Sequence, residues 1–66
     1  MRAMVSFGRR YYAAEQDRRG RADEADLVVY KGATEILRRS IPKCETVDEL
    51  RVATVKALEK FREEEL

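Results

Sequence analysis

The chain has no histidine, asparagine or tryptophan, and only one cysteine, one glutamine and one proline among its 66 residues. Each absence removes a class of function. A lone thiol, Cys44, cannot close an intramolecular disulfide. Without histidine it cannot assemble a zinc site either, so neither a metal nor a cofactor is expected. General acid–base catalysis at neutral pH loses its usual side chain. No apolar run approaches the ~18 residues of a membrane span, and "MRAMVSFGRR" lacks the apolar core of a secretory signal. The expectation is a cytoplasmic protein with no membrane partner.

What the chain does contain is charge and aliphatic carbon: 41% of its residues are Asp, Glu, Lys or Arg, and 44% are hydrophobic. That hydrophobic content is too high for a disordered chain. Residues 1–66 read as one small helical domain, with 1–8 as an N-terminal arm. A chain this short has little core of its own, so oligomerisation or tight packing is expected to complete it. Scarce amides beside abundant Arg and Glu follow the thermophile trend, although a GC-rich genome produces the same bias. The net charge of +1 conceals a gradient, with six arginines against two acids in residues 1–21 and four bases against seven acids in residues 44–66.

The clearest element is at the C-terminal end. Thr46 and Glu49 have the spacing of a capping box. Val47, Leu50, Thr54, Ala57, Leu58 and Phe61 then recur at three- and four-residue intervals, predicting a helix over 46–64. Acids in "ADEAD" and arginines in "ILRR" suit the two ends of a second helix over 22–39. A third, over 9–19, either packs on these or joins the second into one helix over 9–39. The fold class expected is therefore all-α, an antiparallel helical hairpin or small three-helix bundle. Its core is expected from Val28, Val29, Ile36, Leu37, Ile41, Leu50, Ala57, Leu58 and Phe61.

The run "LVVY", residues 27–30, tests that reading. On a helix four successive residues point to all sides, and a helix apolar all round must be covered all round. A partner chain is then required, which predicts a homodimer or higher homo-oligomer with an interface of Leu27, Val28, Val29, Tyr30, Ile36, Leu58 and Phe61. The alternative is a short strand, favoured by Val-Val-Tyr itself and ended by Gly32.

Two functional readings compete. The first is a non-catalytic interaction or regulatory module that self-associates or engages a protein partner. The second is a DNA- or RNA-binding regulator, with Arg9, Arg10, Tyr12, Arg18, Arg19 and Arg21 contacting phosphates and bases. A sequence pI of 7.9 is low for a dedicated nucleic-acid binder, which favours the first. Cys44 precedes a helix N-terminus, where a thiolate could be stabilised, but no base accompanies it. The isolated Gly8, Gly20 and Gly32 form no phosphate loop, and Glu63, Glu64 and Glu65 read as a solvated end.

Overall fold

Two glycines set the topology. In the computed structural model, which describes residues 1–17 and 23–65, Gly8 and Gly32 have φ of 66° and 63°. Strand β1 (Arg2–Phe7) turns through Gly8-Arg9 into β2 (Arg10–Asp17). Likewise β3 (Glu24–Lys31) turns through Gly32-Ala33 into β4 (Thr34–Pro42). Phe7 pairs with Arg10 and Lys31 with Thr34, so both connections are two-residue hairpin loops. Glycine at the first position with no positive φ at the second is the pattern of a type II′ turn, whose twist matches that of the strands.

The four strands form one antiparallel sheet in the order β1-β2-β3-β4, and helix α1 (Val47–Glu65) follows. This overturns the all-α expectation: where described, the segments read as helices over 9–19 and 22–39 are strands with the turns that join them, and residues 2–7 of the supposed arm are an edge strand. The physical reason lies in the alternation. Burial switches at every residue from Arg2 to Ser6, and Ala14 and Gln16 are the fully covered positions of β2. Cross-strand pairs Ala3–Ala14, Ala14–Val29 and Val29–Leu37 then align on one face. The small side chains of Ala3 and Ala14 on this face let the sheet lie close beneath α1.

The "LVVY" run is shared between the two faces of the sheet, because in a strand successive residues face opposite sides. Leu27 and Val29 point to the helix side and are fully buried. Val28 and Tyr30 point to the open face. Val28 is only 3% exposed because its register partners Glu15 and Arg38 flank it. Ion pairs frame this row, Arg2 with Glu15 at 3.6 Å and Arg38 with Asp26 at 3.7 Å and with Glu35 at 2.9 Å. The hydrogen bond and charge of Glu35 raise the pKa of the Arg38 guanidinium.

The core is Ala3, Val5, Ala14, Leu27, Val29, Leu37, Cys44, Leu50, Ala57 and Leu58, with Phe7, Tyr12, Ile36, Ile41 and Phe61 packed at its margin. Of the residues expected there, Val28 is the one buried on the opposite face. Helix α1 stands one residue from where the spacing placed it, and its cap forms: the Glu49 amide donates to Thr46 Oγ1 at 3.1 Å. The sheet edges are blunted. The register shifts between Val29 and Tyr30, leaving Ile36 as a bulge in β4, and Pro42 ends that strand. On the other edge Arg51 Nε donates to the Met4 carbonyl at 3.4 Å.

Candidate functional site

Helix α1 follows β4 in the chain and packs chiefly against β1, less against β2 and β4. The seam it leaves with β4 is a groove of about 670 Å³. Its position is fixed by the only glutamine in the chain. Gln16 is 7% exposed on β2. Its Nε2 donates to the Cys44 carbonyl at 3.0 Å, and its Oε1 accepts from the Cys44 amide at 2.6 Å. The Lys43 amide donates to the Asp23 carbonyl at 3.0 Å. The loop before α1 is thus tied to both central strands, and the helix starts from a fixed point.

The floor of the groove is apolar, formed by Ile41, Pro42, Val52, Ala53 and Ala57, while Arg39, Lys43, Lys56 and Lys60 stand around it. Val52 is 55% exposed, the largest apolar exposure on the helix. Val52, Lys56 and Lys60 lie four residues apart on α1 and so form one stripe along the groove. The acids Asp48 and Glu49 are confined to the N-terminal end and are already engaged. Asp48 bonds Arg51 at 3.1 Å, and Glu49 Oε2 accepts from the Glu45 amide at 3.4 Å. Lys43 pairs with Glu45 at 3.6 Å. Lys56 and Lys60 make no ion pair or hydrogen bond among the described residues.

Cys44 also lines this groove, but as a structural residue. Its side chain is buried, Sγ lies 3.8 Å from the Pro42 carbonyl, and burial, with a smaller contribution from Glu49, pushes its thiol pKa up. The nucleophilic thiolate is therefore disfavoured, the reverse of what a reactive cysteine needs.

The residues expected at an oligomer interface are dispersed. Leu27, Val29 and Leu58 are enclosed in the core of the single chain; Val28 and Tyr30 face the open side of the sheet; Ile36 and Phe61 lie half-buried at the core margin. The arginine-rich segment is divided. Arg9 and Arg10 sit at the β1–β2 turn, and Tyr12 is half-buried beside them, whereas Arg18, Arg19 and Arg21 lie outside the described residues. A second groove, of about 610 Å³, brings Arg9, Arg10 and Tyr12 together with Phe61 and Arg62 of α1.

Sequence reasoning missed Val52, Lys56, Lys60 and Arg62. The signal for the first three was their four-residue spacing, with Val52 standing off the core stripe. Among the described residues no helix is long and apolar enough to cross a membrane. Compared with known proteins, the chain matches no family model, no curated protein and no solved structure.

Proposed function

We propose that this protein is a non-catalytic interaction module whose β4–α1 groove receives an acidic, amphipathic segment of a partner protein. One observation carries this reading: Lys56 and Lys60, with no ion pair among the described residues, stand over an apolar floor that leaves Val52 more than half exposed. An extended or helical segment with apolar anchors along one side and carboxylates along the other meets both features at once. The floor supplies affinity, while the exposed lysines steer encounter and select against cationic segments. The raised pKa and burial of Cys44 speak for binding rather than covalent chemistry at this groove. A free, buried thiol suits a reducing compartment, and we assign the protein to the cytoplasm on that ground.

The test is a titration of isotope-labelled protein with a synthetic peptide carrying leucines at four-residue spacing and glutamates between them. The expected result is amide shifts confined to Ile41, Val52, Lys56 and their neighbours. The double variant Lys56→Glu, Lys60→Glu should weaken binding about tenfold or more, on the order of 1 kcal/mol for each exposed pair lost. Shifts spread evenly over the surface, or equal affinity for an all-lysine peptide, would refute the assignment.

A further inference from the structure

The second groove differs from the first in its chemistry. It lies between the β1–β2 turn and the C-terminal half of α1, on the same side of the sheet as the helix. Phe7, Tyr12, Leu58 and Phe61 form its floor and Arg9, Arg10 and Arg62 its rim; among the described residues no carboxylate lines it. The three arginines are exposed and make no ion pair or hydrogen bond among the described residues. A Cβ built on Gly8 meets nothing within 4 Å, so the turn leaves the approach open.

We infer that this groove binds an aromatic base carried on a phosphate, the chemistry shared by single-stranded nucleic acid and free nucleotides. Three guanidiniums converging from two elements hold phosphate oxygens through charge-assisted, paired hydrogen bonds. The three half-buried rings beside them offer edges and faces on which a base stacks. Phe7 and Tyr12 are diagonal neighbours across the hairpin, since Phe7 pairs with Arg10 and Val5 with Tyr12. Diagonal partners stand about 7–8 Å apart, within mutual reach of aromatic side chains. The volume lies within the ~300–1,000 Å³ of small-ligand sites. A lipid headgroup would supply phosphate but no ring to engage the aromatic floor. This site is separate from the β4–α1 groove and does not rest on the peptide-binding reading.

The experiment measures fluorescence anisotropy of a labelled ten-nucleotide thymidine strand with the full chain over a salt series. Three neutralised phosphates on a single strand give a slope of about −2 in log K against log salt, so a fourfold rise in salt should weaken binding by roughly 20-fold. Arg9→Glu with Arg62→Glu should lower affinity more than about tenfold and flatten the slope. Both positions are exposed, and circular dichroism checks that the variant stays folded. Lys56→Glu with Lys60→Glu, in the other groove, should leave strand binding essentially unchanged. Thymidine monophosphate, added alone to labelled protein, separates the two sources. Shifts at Phe7, Tyr12 and Phe61 with the strand binding far more tightly assign single-stranded nucleic acid; equal affinities assign a free nucleotide. Absence of an anisotropy change near 100 micromolar protein, about the weakest nonspecific affinity expected, would overturn the inference. So would equal competition by inorganic polyphosphate of the same charge, or equal losses from the two double variants.

Discussion

Gln16 offers the most direct test of how the sheet holds its helix. Its amide satisfies both the N–H and the C=O of buried Cys44, 28 residues away, at 2.6 and 3.0 Å. Gln16→Leu keeps the volume but leaves both backbone groups without a partner. Each costs about 1–3 kcal/mol, and burying the added apolar surface returns about 1–2 kcal/mol. The net loss is about 1–4 kcal/mol, against a total of roughly 3–10 kcal/mol for a domain of this size. At about 4–8 °C per kcal/mol, the melting temperature should fall by roughly 4–30 °C. Gln16→Glu refines the test. Its carboxylate can still accept from the Cys44 amide, but it cannot donate to the carbonyl and its charge is buried; the protonated acid can donate. The folded pKa of Glu at this position should therefore be raised above the ordinary ~4.3. A raised pKa gives stability that is complete below the unfolded value and lost as pH rises through the folded one. Thermal melts of wild type, Gln16→Leu and Gln16→Glu near pH 4 and pH 7 decide the matter. The Glu variant should lie closer to wild type at the lower pH, while the Leu variant's deficit stays constant. A Leu variant within a few degrees of wild type, or a Glu deficit independent of pH, would show that the clamp does not carry the load assigned to it.

The two turns, Cys44, Thr54 and the enclosed core each give a further test. Gly8→Ala and Gly32→Ala should each cost about 1–2 kcal/mol in urea denaturation; neither added Cβ meets an atom within 4 Å. A D-alanine at either position should match or exceed wild type, because the left-handed backbone is then relaxed. Cys44 should react with a disulfide reagent about tenfold or more slowly in the native protein than in urea. Because its pKa is raised, the stability linked to it should be intact below about pH 8.5 and decline as pH rises through the folded value, relative to Cys44→Ala. Thr54 is fully buried and its Oγ1 donates to the Leu50 carbonyl at 2.7 Å, an acceptor that also serves the helix. Thr54→Val should thus stay within about 1 kcal/mol of wild type by chemical denaturation, whereas Thr54→Ala should lose more through the cavity. The melting temperature should not change with protein concentration, since Leu27, Val29 and Leu58 are enclosed within one chain. A marked rise with concentration would return these residues to an interface.

The helix was legible in the sequence and the sheet was not, for reasons that can be located. Over 46–64 a cap, a 3.6-residue period and good helix formers agree. Over 2–42 the signals conflict. "ADEAD" and "ATEIL" read as helix, yet Ala25 is a buried strand residue of β3 and Ala33 the second residue of a hairpin turn. Propensity there yields to tertiary packing. The decisive local evidence was the dipeptides Gly8-Arg9 and Gly32-Ala33, each between two runs of strand-forming residues at two-residue spacing. Weighed as isolated glycines, they gave no phosphate loop; weighed as hairpin turns, they give the meander.

The same change of element explains the site. In the sequence, Arg9, Arg10, Tyr12, Arg18, Arg19 and Arg21 read together as one set of nucleic-acid contacts. As a strand of about 3.3 Å per residue, β2 carries Asp17 some 23 Å from Arg10. Arg9 and Arg10 therefore stand at the end of β2 opposite Asp17. The hairpin end finds its third cation elsewhere, in Arg62, more than fifty positions away in sequence, which no local pattern could have linked to Arg9. The positive-to-negative gradient along the chain is likewise rearranged. The open sheet face collects Glu15, Asp17, Asp26 and Glu35 around Arg2 and Arg38, while Lys56, Lys60 and Arg62 stand on the helix side. Positive charge thus stands at the two grooves that flank α1, and most of the acids named stand on the open sheet face.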